Sequence, residues 1–206
     1  MADSDDTPAP WLSIVGIGED GLDGMTAAAR ELLAGAELVA GGQRHLALVA
    51  SLGKPTFAWE TPFAASIPIL LTHRGKRVVA LCSGDPFWYG AGAVIAEAVA
   101  AAETVVVPAS SSFAWAAARL RWRLEETVTL GLHARPIELL RPHLRTGARL
   151  IVLARDGAAP ALIATYLGGV GFRPSRLTIL EALGGPSERV RVTTAAGFAR
   201  CRSFSG

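Results

Sequence analysis

The chain has 206 residues, of which half are hydrophobic and only 18% are charged, and its formal net charge is +2. This composition excludes an intrinsically disordered protein, because there is ample apolar material for a buried core. No uncharged apolar stretch reaches the roughly 18 residues that a membrane span needs. The acidic residues 1–10 lack the basic start and apolar run of a signal peptide, so we expect a short disordered tail and a cytoplasmic protein.

Cysteine and histidine usage argues against disulfide bonds and metal. Cys82 and Cys201 are too few for a disulfide framework, and the apolar run around Cys82 favours a small buried side chain. None of the four histidines stands at zinc-ligand spacing from these cysteines. We therefore expect no metal site.

Charge is distributed unevenly along the chain. Residues 1–107 carry 6 basic and 12 acidic side chains, whereas residues 108–206 carry 14 basic side chains, all arginine, and 6 acidic ones. This asymmetry predicts that a polyanionic partner is drawn to the second half, since guanidinium groups suit carboxylates and phosphates. Any single arginine can equally be an ordinary solvated side chain. Only residues 119–123 combine basic and aromatic side chains, so we do not expect nucleic-acid binding.

Apolar runs alternate with alanine-rich stretches, which is typical of an α/β protein with a parallel sheet. The predicted strands are residues 12–17, 37–40, 56–60, 78–83, 104–107, 127–131, 149–154 and a final antiparallel pair, 177–182 and 189–194. The predicted helices are residues 26–34 with Thr26 as N-cap, 43–51, 67–74, 91–102, a helix through Trp115 to Arg123, 136–144 and 160–167. A change of composition places a domain junction near Glu125, which gives α/β domains over residues 11–124 and 125–206.

The loop after the first predicted strand, residues 16–21, matches the dinucleotide-binding pattern G-x-G-x-x-G. In a nicotinamide-binding fold the helix begins within the glycine turn and the second strand ends in an acid. Here the first plausible N-cap is Thr26, and the second strand ends Ala40-Gly41-Gly42-Gln43 without a carboxylate. A nicotinamide-dependent oxidoreductase is therefore the disfavoured alternative.

Two further loops follow predicted strands and carry polar residues. Residues 83–90 read Ser-Gly-Asp-Pro-Phe-Trp-Tyr-Gly, and residues 108–113 read Pro-Ala-Ser-Ser-Ser-Phe. Ligands of open α/β sheets bind at the carboxyl ends of the strands, and the amides at a helix start can serve an anionic group. Each loop alone could be an ordinary turn or cap, but three such loops after strands of one sheet predict a ligand site.

Five motifs follow one another along residues 11–195: Val15-Gly16-Ile17-Gly18, Gly41-Gly42-Gln43-Arg44-His45-Leu46, Ser83-Gly84-Asp85-Pro86, residues 108–120 and Leu132-His133-Ala134-Arg135. Their order and spacing resemble the tetrapyrrole (corrin/porphyrin) methylase family. The second, fourth and fifth motifs look specifically like its precorrin C5-methyltransferase branch. That branch acts alone or as the N-terminal half of a decarboxylating C5,15-methyltransferase.

The resemblance implies two small α/β domains with S-adenosylmethionine in a cleft between them, usually in a homodimer. The cofactor-binding positions that it implies are Gly18, Glu19, Gly84, Asp85, Trp88, Ser111, Ser112, Leu132, Leu153, Ala154 and Leu183. By motif position, the substrate-binding candidates are Arg44, His133 and Arg135. The family often has proline where Glu19 stands, and the strand that usually follows the last hairpin is missing, which suggests a domain cut from a larger bifunctional chain.

The expected function is S-adenosylmethionine-dependent methylation of a precorrin at carbon 5 in cobalamin biosynthesis, with S-adenosylhomocysteine as product. No catalytic residue is identified, because positioning an electron-rich carbon about 3–3.5 Å from the methyl group can suffice. His133 is also a candidate for removing the proton after methylation. Methylation of another ring position and a non-catalytic tetrapyrrole carrier stay open as alternatives, as does a cobalt-containing rather than a metal-free substrate.

Overall fold

The computed structural model describes residues 9–133 and 135–198. The chain divides into two compact units, which meet in sequence between Ser111 and Ser112. The sequence places the domain junction later, near Glu125. The helix that begins at Ser112 explains the difference, because it packs its apolar face against Ile151 of the second unit. The predicted tail falls largely on residues 1–8, which lie outside the described residues.

The first unit contains a parallel sheet of five strands with helices on both faces. Its strands are β1 (Leu12–Ile17), β2 (Leu38–Gly41), β3 (Thr56–Ala58), β4 (Val78–Ser83) and β5 (Thr104–Val107). Its helices are α1 (Ala27–Gly35), α2 (Gln43–Leu48), α3 (Ser66–Leu71) and α4 (Ala91–Ala98). The strand order is β3-β2-β4-β1-β5, so β1 and β4 lie side by side at the centre.

Alternate residues of the central strands enter two separate cores. Val15 and Ile17 of β1 pack with Leu33 of α1, and the side chains of α2 join the same cluster. Leu12 and Ile14 of β1 face the other way and pack with residues of α3 and α4. The segments that follow β1 and β4 therefore lead to opposite faces of the sheet. Such a switch between neighbouring strands opens a crevice at their carboxyl ends, where α/β proteins bind ligands.

The second unit contains two small sheets. Its strands are β6 (Val128–Gly131), β7 (Leu150–Leu153), β8 (Arg176–Glu181) and β9 (Arg189–Thr194). Its α-helices are α5 (Ser112–Leu120), α6 (Ala159–Gly169) and α7 (Ala195–Phe198). The pair β6 and β7 is parallel, and the pair β8 and β9 is the antiparallel hairpin that the sequence predicts.

The predicted fold class is confirmed: this is an α/β protein with a parallel sheet. The bounds predicted for β1, β4, β5 and β9 coincide with the observed ones. The α-helix predicted over residues 136–144 is wrong, because residues Ile137–His143 form a 3₁₀ helix. Pro142 has no N–H to donate to the carbonyl of Glu138, so an α-helical turn cannot close there. The short helix α7 is absent from the predictions.

Among the described residues, no helix is both long enough and apolar enough to cross a membrane.

Candidate functional site

In the first unit, the loops after β1, β4 and β5 meet at one edge of the sheet. The Gly84 amide donates a hydrogen bond to the Ile17 carbonyl at 3.0 Å, which joins the loop after β4 to the end of β1. The Ala109 amide donates to the Gly84 carbonyl at 3.2 Å, which joins the loop after β5 to the same point. The three loops singled out by the sequence therefore share a main-chain hydrogen-bond network.

Two glycines make this close approach possible. A Cβ on Gly16 would lie 2.0 Å from the Gly84 carbonyl oxygen and 2.5 Å from the Ala109 nitrogen. Gly84 has a φ of +54°, and its Cβ would lie 3.0 Å from the Ser110 oxygen and from the Ser111 Cα. Because a side chain at either position would strike main-chain atoms, the junction of the loops requires glycine at both.

The loop after β1 is closed by an acidic side chain. The Asp20 carboxylate lies over the loop, so close that a Cβ on Gly24 would be 1.9 Å from its Oδ2. Helix α1 begins only after this loop, where Thr26 caps it by accepting a hydrogen bond from the Ala29 amide at 3.2 Å. The predicted N-cap at Thr26 is confirmed. A pyrophosphate held by a helix start inside the glycine turn does not fit this arrangement.

The loop after β4 presents three aromatic side chains to solvent. The Asp85 carboxylate accepts a hydrogen bond from the Phe87 amide at 2.9 Å, which fixes the turn. Pro86 is buried beneath this turn. Phe87, Trp88 and Tyr89 are 50%, 40% and 44% exposed. Exposed aromatic faces at the carboxyl edge of a parallel sheet suit the flat ring of a ligand such as adenine.

The loop after β5 places its serines differently. Ser111 is one of two buried polar residues in the described chain, with 8% of its surface exposed. Ser112 is exposed and is the first residue of α5, a helix of nine residues.

A polar cluster lies beside the same sheet edge. The Arg44 side chain, at the start of α2, forms an ion pair with Glu19 in the loop after β1. Its Nη2 donates a hydrogen bond to the hydroxyl of Ser83, the last residue of β4, at 3.1 Å. His45 Nε2 lies 2.8 Å from the same hydroxyl and 3.0 Å from Arg44 Nη2. Residues from three strand ends thus form one network, which joins the predicted cofactor residue Glu19 to the predicted substrate residue Arg44.

His45 in this cluster is held neutral. Burial, and to a smaller extent the positive charge of Arg44, lower the pKa of His45 from 6.5 to about 4. Its Nδ1 is buried and has no hydrogen-bond partner among the described residues. Since a guanidinium can only donate, Nε2 accepts from Arg44 and the proton sits on Nδ1. His45 therefore acts as an acceptor that orients Arg44.

In the second unit, the predicted cofactor positions follow strand ends. The Leu132 amide, just after β6, donates a hydrogen bond to the Leu153 carbonyl at the end of β7 at 2.9 Å. Ala154 is the exposed residue that follows. Leu183 lies in the connection between β8 and β9 and packs in the same apolar cluster as Leu153.

His133 and Arg135 are both exposed residues of the second unit. Ala134, between them, lies outside the described residues. The predictions missed His45 and Ser83 as members of the polar cluster, although both lie inside motifs that the sequence offers. They also missed the ion pair of Arg119 and Glu188, whose members are 69 residues apart and carry no local signal. No group of three potential metal ligands occurs within the described ranges.

Comparison with known proteins gives a family match over residues 12–199, to the model for tetrapyrrole (corrin/porphyrin) methylases. A precorrin-6Y C(5,15)-methyltransferase [decarboxylating] from Sinorhizobium sp. is 47% identical over 203 residues, which is 96% of this chain and 49% of the relative. A cobalt-precorrin-7 C(5)-methyltransferase from Salmonella typhimurium is 29% identical over 87% of this chain and 88% of its own. The chain spans about half the length of the C(5,15)-methyltransferases that it matches.

Solved structures show the same fold. Precorrin-6Y methylase from Archaeoglobus fulgidus superposes with a TM-score of 0.65 at 28% identity, over 90% of each chain. A uroporphyrin-III C-methyltransferase from Thermus thermophilus, complexed with S-adenyl homocysteine, has a TM-score of 0.69 at 22% identity, over 91% of this chain and 85% of its own.

Proposed function

We propose, from the premise that the chain belongs to the tetrapyrrole (corrin/porphyrin) methylase family, that it transfers a methyl group from S-adenosylmethionine to carbon 5 of a precorrin in cobalamin biosynthesis. The observation that carries the proposal is the junction of three strand-ending loops at Gly16, Gly84 and Ser110, beside the network around Arg44. The similarity to precorrin C5-methylating relatives supports the choice of substrate.

The residues at this sheet edge fit S-adenosylmethionine. The glycine junction lets the three loops meet without an intervening side chain, so their polar residues lie along one sheet edge, which suits the many polar atoms of a nucleoside and an amino acid. The exposed ring of Trp88 suits the adenine. We propose that Gly18, Gly84, Asp85 and Ser111 bind the cofactor within the first unit. Glu19 holds Arg44, so its contribution to the cofactor is indirect.

In the second unit, Ser112, Leu132, Leu153, Ala154 and Leu183 are the proposed cofactor positions. Leu132 and Leu153 are tied by a main-chain hydrogen bond, so their loops are held at a fixed spacing. Apolar side chains here exclude water from the reacting atoms, which strengthens the electrostatic interactions that remain.

When bound, S-adenosylmethionine supplies a methyl group whose carbon–sulfur bond breaks as the new carbon–carbon bond forms, with the electron pair staying on sulfur. The protein holds the acceptor carbon in line with the methyl group and keeps water out, which can supply most of the rate enhancement. The proton that leaves the methylated carbon needs an acceptor, and His133 is the proposed one in the second unit.

Substrate carboxylates are the proposed partners of Arg44, His133 and Arg135. Arg44 is the best prepared of the three, because His45 and Ser83 orient its guanidinium. With Nη2 committed to His45 and Ser83, the Nη1 group that now pairs with Glu19 is the donor for a substrate carboxylate, in a charge-assisted hydrogen bond. A precorrin carries several acetate and propionate groups, so more than one arginine is expected to contribute.

We further propose that the protein is a cytoplasmic homodimer. Because the matched C(5,15)-methyltransferases are about twice as long, we propose that a C15-methylating, decarboxylating domain works with this chain.

The decisive experiment is methyl transfer from isotopically labelled S-adenosylmethionine to precorrins prepared with and without cobalt. Mass spectrometry of the product gives its mass gain, and NMR locates the new methyl group. We expect one labelled methyl at carbon 5. Label at another ring carbon would contradict the regiochemistry, and tetrapyrrole binding without transfer would identify a carrier.

A parallel thermal-shift titration compares S-adenosylhomocysteine with NADPH. We expect only S-adenosylhomocysteine to raise the melting temperature. Selective stabilisation by NADPH would overturn the proposal in favour of an oxidoreductase.

A further inference from the structure

A bidentate ion pair joins helix α5 to the connection between β8 and β9. Arg119 Nε donates a hydrogen bond to Glu188 Oε1 at 2.5 Å, and Arg119 Nη2 donates to Oε2 at 2.8 Å. The two side chains are 35% and 21% exposed, so the pair is better shielded than the other ion pairs of the second unit. Two parallel charge-assisted hydrogen bonds fix geometry as well as adding energy.

The Glu188 carboxylate also holds the main chain of the connection. It accepts a third hydrogen bond from the Gly184 amide at 2.7 Å. The Arg119 side chain and then this amide lower the pKa of Glu188 to about 2. The Arg119 guanidinium lies 5.0 Å from the ring centre of Trp115, and a Cβ on Gly184 would approach the same ring to 2.9 Å. Gly184 is therefore packed against Trp115 and tied by Glu188.

The connection needs such a tie, because the residue just before Leu183 has a strained backbone. Ala182 has a φ of 48°, in the left-handed region, whereas the φ of 82° at Gly184 costs a glycine nothing. A left-handed alanine costs roughly 1–2 kcal/mol, so the conformation persists only where neighbouring contacts impose it. Glu188 supplies one such contact two residues further on, at the Gly184 amide.

We propose that Arg119 and Glu188 are positioning residues for S-adenosylmethionine, holding Leu183 in place and tying its segment to the helix that begins at Ser112. The inference rests on the proposed function, since Leu183 and Ser112 are proposed cofactor positions. Neither Arg119 nor Glu188 needs to touch the cofactor. They order the connection between β8 and β9 before the cofactor binds, so binding loses less conformational entropy.

The test measures the dissociation constant of S-adenosylhomocysteine by calorimetry for the full chain and its variants. We expect Glu188→Ala to weaken binding about tenfold, because the Gly184 amide and the guanidinium both lose their partner. Glu188→Gln keeps an acceptor for the Gly184 amide, and Arg119→Lys keeps the positive charge but cannot make two parallel hydrogen bonds. The dissociation constants of both variants should therefore lie between those of Glu188→Ala and the wild type. Glu181→Gln is the matched control, since Glu181 pairs with Arg191 at 2.6 Å on the same hairpin. It should bind like the wild type.

Amide hydrogen exchange of residues 182–185 without ligand supplies a second readout. Exchange should accelerate in Glu188→Ala and stay unchanged in Glu181→Gln. Wild-type affinity in the Glu188 variants, or equal weakening in the Glu181 control, would overturn the positioning role. If Glu188→Ala does not fold, Glu188→Gln and Arg119→Lys decide the question. A wild-type chain that fails to bind S-adenosylhomocysteine contradicts the proposed function itself.

Discussion

The α-carbon of Gly16 faces the carbonyl oxygen of Gly84 so closely that a Cβ on Gly16 would lie 2.0 Å from that oxygen. The same oxygen accepts the Ala109 amide at 3.2 Å. One carbonyl therefore links the loop after β4 to the end of β1 and to the loop after β5. A substitution that displaces this carbonyl should therefore disturb the whole proposed cofactor site.

Gly16→Ala is expected to destabilise the protein and to weaken cofactor binding together. The added methyl strikes main-chain atoms that cannot rotate away, and overpacking of this kind costs about 1–3 kcal/mol. Urea unfolding measures the stability, and calorimetry with S-adenosylhomocysteine measures the affinity. Gly35→Ala is the control, because a Cβ at this helical glycine meets nothing within 4 Å. It should leave affinity unchanged and stability equal or up to about 1 kcal/mol higher. If Gly16→Ala had the stability and the affinity of the wild type, the loops could move apart to accommodate a methyl group.

The central strands could be predicted from the sequence because burial on both faces leaves unbroken apolar runs. Val78–Ser83 is such a run, and its residues from Val78 to Cys82 are all buried. Helix ends were harder to predict, since alanine continues a helix equally well whether or not packing supports it. The helix predicted over residues 91–102 therefore runs past the observed end at Ala98.

His45 predicts a specific pH dependence of stability. Its pKa is about 4 in the folded protein and has its ordinary value of 6.5 in the unfolded chain. Between these two pH values the unfolded chain therefore binds more protons than the folded protein. The contribution of neutral His45 to the free energy of unfolding is therefore fully present above pH 6.5. It is lost as the pH drops towards 4, by on the order of 2–3 kcal/mol. His45→Gln should flatten this part of the curve, as measured by urea unfolding at half-unit pH steps.

A non-titrating substitution on the same helix, Gln43→Ala, controls for changes in α2 itself. Its pH slope should match the wild type, because Gln43 is exposed and carries no proton in this range. If His45→Gln and the wild type lose stability in parallel, His45 is not buried in its neutral form.

Arg44→Ala should lower kcat/KM for the precorrin without altering cofactor affinity. Loss of a charged hydrogen-bond donor to a substrate carboxylate costs about 10–100-fold. S-Adenosylhomocysteine should bind within twofold of the wild type. Arg30→Ala is the matched control, since Arg30 is an exposed arginine of the same unit that donates to the Asp23 carbonyl at 2.9 Å. An equal effect in both variants would point to general electrostatic attraction rather than to a specific contact.

Glu19→Gln should act in the opposite direction. Glu19 holds Arg44 in an ion pair, so a substrate carboxylate has to displace it. An exposed pair is worth about 0.2–1 kcal/mol, which predicts a KM for the precorrin up to about fivefold lower in the variant. A higher KM, measured in the same assay as Arg44→Ala, would show instead that Glu19 orients Arg44 for the substrate.

The ion pair of Glu19 and Arg44 illustrates what the sequence could and could not reveal about the site. Motif position identified both residues as candidates, but it assigned Glu19 to the cofactor and Arg44 to the substrate. Their contact depends on the order of strands, because β4 lies between β2 and β1 and brings the ends of all three together. Local patterns do not specify strand order, so the network with Ser83 and His45 emerges only in three dimensions.

Cys82 should resist alkylation in the folded protein, because burial raises the pKa of its thiol to about 12 and only 2% of its surface is exposed. The reactive thiolate is then a minute fraction at pH 8, whereas an unfolded thiol with a pKa near its ordinary value of about 8.5 is substantially ionised. Iodoacetamide labelling followed by peptide mass spectrometry separates Cys82 from Cys201. We expect labelling of Cys82 to be at least about 100-fold slower in buffer than in denaturing urea. Rapid labelling in buffer would mean that β4 opens readily, and a sheet edge built on a mobile central strand could not hold the loops around Gly84 in place.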